Sequence, residues 1–175
     1  MKNILSLFLI GFFFCFAKCN KEDLDFSTLP PATQEGRNTL GFMLNGKAWA
    51  PKGFRVTGNL SIDYDPGYNQ GIFNIVAYDF STPISQQFTI GIRDSLNFIN
   101  APISFHLNQS SLYVVSFSKS CNYFSTLQGI GSNGNLTITK LDRANHIISG
   151  TFSATLYKTG CDTIKITEGR FDMKF

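Results

Sequence analysis

Two histidines, His106 and His146, are the side chains of this sequence best suited to acid–base chemistry near neutral pH. His106 lies between Phe105 and Leu107 in a predicted strand and points away from the face that they share. No G-x-S-x-G motif supplies a nucleophilic serine for either histidine. We therefore expect surface histidines, no catalytic residues and no enzyme activity.

A second set of polar residues lies in the segment DYDPGYNQG, whose spacing offers oxygen atoms that a calcium loop can use. Its members are Asp63, Asp65, Gly67 and Asn69. The glycine falls one position early for an EF-hand, and no glutamate closes the set. A plain polar turn is the favoured interpretation, and neither a metal nor another cofactor is predicted.

Aromatic side chains form a third set, because exposed and coplanar rings can stack on sugars. The candidates are Trp49, Tyr64, Tyr68 and Tyr78. Packing in the core or in loops is the favoured interpretation, since aromatic side chains bury large areas.

The thiol of Cys19 follows an apolar run, and this order is typical of a secretory signal. Lys2 precedes the run, which covers residues 4–16. The run is shorter than the about 20 residues that span the hydrocarbon core of a bilayer. The pattern predicts a signal peptide at residues 1–18 and export of the remainder.

The residues FAKC that end at Cys19 resemble the lipobox of bacterial lipoproteins. Lys18 departs from the small residue that usually precedes the acylated cysteine. The resemblance implies a lipid anchor on Cys19. Cleavage after Ala17, which would leave Cys19 as a free thiol, is the alternative.

Charged residues follow the proposed anchor directly. Lys21, Glu22 and Asp23 resemble the surface-export signal of Bacteroidota lipoproteins, a lysine followed by two acids. The resemblance implies an outer-membrane protein that faces the cell exterior. A solvated spacer is the alternative interpretation of the charges, and a periplasmic location is the alternative to surface exposure.

Two cysteines, Cys121 and Cys161, remain beyond the anchor. In an exported chain an isolated pair is most simply a disulfide, and two separate buried thiols are the alternative. Closing a loop of about 40 residues stabilises a fold by roughly 4 kcal/mol in the chain-entropy model. No CxxC or HxxxH pattern favours a metal site.

The composition favours one all-β domain. The formal charge of +3 includes Lys2 and Lys18, so the mature chain is near neutral. It shows no basic cluster along the sequence, and nucleic acid is not an expected partner. Only 15% of the residues are charged, while glycine and phenylalanine are abundant. Residues 19–39, with Pro30 and Pro31, are predicted to be the lipid anchor and a flexible linker.

Short alternating segments separated by turns predict nine to eleven strands in residues 40–175. The predicted strands are residues 40–44, 47–50, 54–62, 72–80, 88–92, 102–107, 113–117, 136–139, 148–156 and 164–175. Apolar residues on both faces of 72–80 indicate a central strand covered on two sides. The pattern favours an antiparallel β-sandwich, with a closed β-barrel as the alternative.

The last predicted strand changes its apolar parity. Ile164 and Ile166 occupy even positions, whereas Phe171 and Met173 occupy odd ones. Because a strand cannot change face by itself, we predict a β-bulge at Glu168-Gly169, with the glycine supplying the unusual φ. A strand that passes from one sheet to another at this kink is the alternative.

The segment LPPATQEGRNTLGFMLNGKAWAPKG resembles the start of a family of small Bacteroidota lipoproteins of unknown function. The closing residues GTFSATL and ITEGRFDMKF are similar to the last hairpin of that family. Members often have a cysteine where this chain has Phe42, so the resemblance implies that Cys121 and Cys161 pair with each other. It implies a surface-anchored β domain and brings no known activity.

Two functions follow as hypotheses. The first is a surface-exposed outer-membrane lipoprotein that acts as a non-enzymatic interaction or envelope-structural module, with the membrane as its partner through the lipid anchor. The alternative is an accessory lipoprotein that binds a glycan or another small ligand. A protein or a glycan is the expected external partner.

Overall fold

The computed structural model describes residues 28–107 and 113–175, and they form two antiparallel sheets that face each other across one core. The six-stranded sheet contains, in spatial order, β2 (Lys47–Trp49), β1 (Thr39–Leu44), β11 (Ile164–Lys174), β10 (Ile147–Lys158), β9 (Ile130–Asp142) and β6 (Ile103–His106). The five-stranded sheet contains β3 (Leu60–Asp65), β4 (Ile72–Asp79), β5 (Gln86–Ile92), β7 (Tyr113–Ser118) and β8 (Asn122–Phe124). The sheets do not close into a barrel, so the predicted β-sandwich is confirmed.

Alternate residues along the strands point inward and form the core. On β4 every second residue is buried, and its neighbours on the outer face are only half-buried. The inner faces meet in a group of aromatic rings: Phe42 stacks on Trp49 at 4.7 Å between centroids, and Phe88 stacks on Phe152 at 5.4 Å. Such pairs add about 0.5–1.5 kcal/mol each beyond the burial of their area. Aromatic contacts therefore join the two sheets near the middle of the sandwich.

Two strand predictions are wrong in their limits, and one strand is missing from them. The predicted strand at residues 54–62 begins only at Leu60, and Phe54 and Val56 lie in an exposed connection. Strand β9 begins at Ile130 and not at residue 136 as predicted. Gly131 and Gly134 lower its strand propensity, but β10 pairs with β9 over its whole length. The three-residue β8 was not predicted. A single turn of 3-10 helix lies at Leu96–Phe98.

The bulge on β11 is confirmed in position, but its conformation differs from the prediction. Phe152 pairs with Gly169 and Ala154 with Ile166, so β11 contains one residue more than β10 in this interval. Glu168 has the left-handed φ of 53°, whereas Gly169 does not have a positive φ. Gly169 is needed for another reason: a Cβ there would lie 2.5 Å from the ring of Phe152. Because of the extra residue, the even-numbered positions of β11 before the bulge and the odd-numbered positions after it both face the core.

A disulfide joins Cys121 to Cys161, with 6.2 Å between their Cα atoms, so the predicted pairing is confirmed. The two residues are 40 positions apart, and the bond connects the turn between β7 and β8 to the turn between β10 and β11. It therefore links the two sheets covalently at one end of the sandwich.

Gly169→Ala should lower the free energy of unfolding by about 1–3 kcal/mol, because the added methyl group overlaps the Phe152 ring and the packing must shift. Urea denaturation followed by fluorescence measures the change. Gly67→Ala is the control, since Gly67 lies in an exposed turn; we expect a change within about 0.5 kcal/mol. Equal effects of the two substitutions would contradict the steric role of Gly169.

Candidate functional site: the amino-terminal strap and the basic end

One buried carboxylate, that of Asp172 on β11, holds the chain that precedes β1. Asp172 is 1% exposed and accepts hydrogen bonds from Thr33 Oγ1 at 2.6 Å and from Ser149 Oγ at 2.8 Å. The backbone N–H groups of residues 35–37 donate to the same carboxylate at distances of 2.8 to 3.2 Å. A carboxylate that accepts several N–H bonds remains ionised even when it is buried.

Two opposing effects set the pKa of Asp172. Burial alone raises the pKa, since it disfavours the charged form, but the donors from Thr33, Glu35, Ser149 and Gly36 outweigh it. Together they lower the pKa from 3.8 to about 2. The negative charge is therefore part of the folded structure at every physiological pH.

Residues 30–38, which we call the strap, lie against the six-stranded sheet. Pro30 packs on Gly41 so closely that a Cβ at Gly41 would lie 2.5 Å from Pro30 Cδ. At the other end of the strap, Asn38 Oδ1 accepts a hydrogen bond of 2.9 Å from the backbone of Lys174. The predicted flexible linker at residues 19–39 is therefore wrong from Pro30 onward, because contacts distant in the sequence hold this proline-containing segment in place.

A groove of about 640 Å³ lies where the strap begins. It is lined by residues 28–31, 38–40, 50–54 and 59–60. Leu29, Leu40 and Phe54 make much of its surface apolar. Thr28, from which the chain continues toward Cys19, is one of the lining residues. The exit of the chain from the domain and the loop around Phe54 are therefore neighbours.

Several turns meet at the end of the sandwich beside this groove, and we call it the basic end. These turns are residues 45–46, 50–59, 80–85, 119–121 and 159–163. Trp49 Nε1 donates to Gln86 Oε1 at 2.9 Å, and Arg55 donates to Ser85 Oγ at 3.4 Å, so the second and third turns are joined. The Cys121–Cys161 disulfide joins the last two.

Exposed cations extend from or beside these turns, and they are far apart in the sequence. They are Lys47, Arg55, Lys119, Lys158 and Lys165. Among the described residues here, Asp162 is the exposed carboxylate, whereas Asp79 is 6% exposed and accepts hydrogen bonds from Ser81. A chain that is near neutral and lacks a basic cluster in its sequence thus has one positively charged end.

The histidines are not brought together with a nucleophile among the described residues. His106 is exposed on the edge strand β6, as predicted. His146 lies in the turn between β9 and β10, where its ring meets the edge of Phe175 at 5.5 Å.

The proposed calcium segment is a polar turn. Asp65 Oδ1 accepts hydrogen bonds from the backbone N–H groups of Gly67 and Tyr68 at 2.7 and 3.2 Å, and these bonds close the turn. Within residues 28–107 and 113–175, no group of three histidine, cysteine or acidic side chains is arranged to hold a metal ion.

The four aromatic candidates do not form one platform. Trp49 is buried in the core and Tyr64 packs against Phe175, so both are packing residues. Tyr68 is exposed in the turn after β3, and Tyr78 stacks on Phe80 at 5.0 Å on the outer face of β4. Two of the four candidates, Trp49 and Tyr64, therefore serve packing within the domain, and this argues against the sugar-stacking interpretation.

The lipidation and export residues, Cys19, Lys21, Glu22 and Asp23, lie outside the described residues, as does the predicted signal peptide at residues 1–18. In the described part of the chain, no helix has the length and apolarity required to cross a bilayer. The chain matches no protein-family model, and neither a curated protein nor a solved structure is significantly similar to it. The resemblance to Bacteroidota lipoproteins therefore stays a prediction.

Asp172→Asn should lower the free energy of unfolding at pH 7 by about 2–4 kcal/mol, because an amide cannot accept all of the donors that the carboxylate satisfies. Asp63→Asn, on the exposed face of β3, is the control and should change little. Urea denaturation measures stability, and amide hydrogen exchange at residues 33–37 reports release of the strap.

The same carboxylate gives a pH dependence. Because its pKa is lower in the folded protein than the ordinary 3.8, its contribution is complete above about pH 4 and is lost as the pH falls toward 2. The difference between the ordinary pKa of 3.8 and the pKa of about 2 in the folded protein corresponds to about 2.5 kcal/mol. In Asp172→Asn the free energy of unfolding should no longer include this decrease between about pH 4 and pH 2. A pH dependence of stability equal to that of the wild type would contradict the assignment to Asp172.

Proposed function

We propose that this chain is an outer-membrane lipoprotein, acylated at Cys19 and facing the cell exterior, that acts as a non-enzymatic interaction or envelope-structural module. The observation that carries the proposal is the order of Lys2, the apolar residues 4–16, Cys19 and the charged residues 21–23. The Cys121–Cys161 disulfide supports export, because disulfides persist in oxidising compartments. A periplasmic location is the alternative to surface exposure.

The buried polar groups of Asp172, Ser149, Asp79 and Ser125 support a structural rather than a catalytic role. Asp172 accepts hydrogen bonds from Ser149 and from the strap, Asp79 accepts from Ser81, and Ser125 Oγ accepts from the backbone of Val115. Each of these groups completes a backbone or side-chain contact within the fold. A rigid domain with a firmly held exit strap suits a protein that presents a surface at a fixed distance from a membrane.

Cells fed an alkyne-labelled palmitate test the anchor. The wild-type chain should be labelled and should float with membrane vesicles, whereas Cys19→Ala should lose both properties because the thioether cannot form. Cys15→Ala is the matched control, since it lies in the apolar run and should keep the label. Labelling that persists in Cys19→Ala, or a soluble wild-type protein, would overturn the proposal.

The export residues are tested in the same cells by protease treatment of intact bacteria. Replacing Lys21, Glu22 and Asp23 together with alanine should leave acylation unchanged and protect the domain from protease by retaining it inside. Equal accessibility of this variant and the wild type would remove the role of these three residues and leave the anchor in place.

Binding of a small apolar ligand is a second candidate function, and the groove beside the strap favours it. Its volume of about 640 Å³ lies within the range of ordinary ligand pockets. The lining by Leu29, Leu40 and Leu60 suits an alkyl or aromatic ligand better than a glycan.

A thermal-shift panel of fatty acids and oligosaccharides should raise the melting temperature with the former alone, because the groove offers apolar contacts. Leu60→Asp should abolish that shift. Ile62→Asp on the same strand is the control outside the groove lining and should keep any shift. A panel without any shift would exclude this function.

A further inference from the structure

Apolar side chains project into solvent at the basic end. Phe54 is 83% exposed, Val56 98% and Ile84 59%. Phe54 and Val56 flank Arg55, whose guanidinium lies 4.4 Å above the ring of Phe80 and bonds to Ser85. These contacts hold the loop at residues 53–58 beside the turn that carries Ile84. We call the three exposed side chains on these two neighbouring connections the apolar tip, since exposed apolar groups that occur together mark interaction surfaces.

The apolar tip and the cations occur at the same end of the domain. Lys47, Lys158 and Lys165 lie where strands meet the turns of this end, and the exposed carboxylate among the described residues of this end is Asp162. Aromatic and aliphatic side chains that enter the headgroup boundary, next to lysine and arginine, are typical of proteins that lie on anionic bilayers. An acidic protein surface would carry the same negative charge as an anionic bilayer. It would not explain, however, why the apolar tip lies at this position.

The tether supplies that reason. Thr28 lines the same groove as Phe54, so the chain toward Cys19 leaves the domain beside the apolar tip. Thr28 lies nine positions after Cys19, and a segment of this length reaches at most about 30 Å. An anchor at Cys19 therefore keeps the basic end close to the bilayer, and the strap, fixed by Asp172, determines which side of the domain faces it.

We propose that the basic end, with Phe54, Val56 and Ile84 as its tip, docks on the anionic lipid surface to which Cys19 is anchored, so that the opposite end of the sandwich is presented outward. This inference rests on the proposed acylation of Cys19. The tip enters the headgroup region, and the cations contact lipid phosphates. The 3-10 turn at Leu96–Phe98 and the turn between β9 and β10 then face away from the membrane.

The experiment uses the full lipidated protein in vesicles that contain phosphatidylglycerol and lipids with brominated acyl chains, which quench tryptophan on contact. Phe54→Trp places a reporter at the tip. Phe98→Trp is the matched control, because Phe98 is an aromatic residue, 72% exposed, at the opposite end. Trp49 is 5% exposed in the core, and its emission in the unsubstituted protein is subtracted. We expect quenching and a blue shift at position 54 and neither at position 98.

Charge reversal tests the electrostatic part. Lys47→Glu, Lys158→Glu and Lys165→Glu should each lower the docked-to-undocked ratio about fivefold or more, which is the effect of removing one cation from an anionic surface. Arg93→Glu, at an exposed position of the opposite end, should leave the ratio unchanged. Raising the salt concentration should weaken docking in the unsubstituted chain.

The outcomes separate the docking from the anchor. A protein that floats with the vesicles but shows no quenching at position 54, or equal quenching at positions 54 and 98, overturns the docking and leaves the anchor in place. A protein that does not float overturns the anchor and the docking with it. A blue shift at position 54 that brominated lipid does not quench, and that grows with protein density, overturns lipid docking in favour of contact between copies of the chain.

Discussion

The carboxylate of Asp172 determines where this domain begins and which way its amino-terminal segment runs. It is buried, ionised and surrounded by donors from residues 33–37 and from Ser149. A buried charge without these partners would cost several kcal/mol, so the strap and β11 depend on each other. The strap then directs the chain past Gly41 to Thr28, beside the basic end. The direction of the proposed tether follows from this one interaction.

The remainder of the sandwich makes that direction rigid. The aromatic rings of Phe42, Trp49, Phe88 and Phe152 join the sheets at the centre, and the Cys121–Cys161 bond joins them at the basic end. The disulfide constrains a loop of about 40 residues, which is worth roughly 4 kcal/mol in the chain-entropy model. The turns that carry the cations therefore hold fixed positions relative to the strap.

The local patterns account for most of the strands, but not for the connections. Alternation identifies β5, β10 and each half of β11, because the period of two is visible wherever one face is buried. It misplaces residues 54–59, where Phe54 and Val56 look like core residues and are exposed. A period of two in the sequence cannot distinguish an apolar residue that is buried in the core from one that is exposed to solvent. It also cannot assign the left-handed φ to Glu168 rather than to Gly169. Gly169 is required instead by the ring of Phe152, which would lie 2.5 Å from a Cβ at this position.

The sequence by itself determined the β class, most of the strands, the position of the bulge and the two cysteines available for a disulfide, since each is a matter of residue type and short spacing. Only the tertiary structure decided that residues 30–38 are a strap, because the group that holds them, Asp172, lies more than 130 positions away. It also decided that lysines scattered over a near-neutral chain lie at one end beside an exposed apolar tip. In both cases the reason is physical. Antiparallel strands bring turns that are distant in the sequence to the same end of the sandwich, and no local pattern predicts which turns meet there.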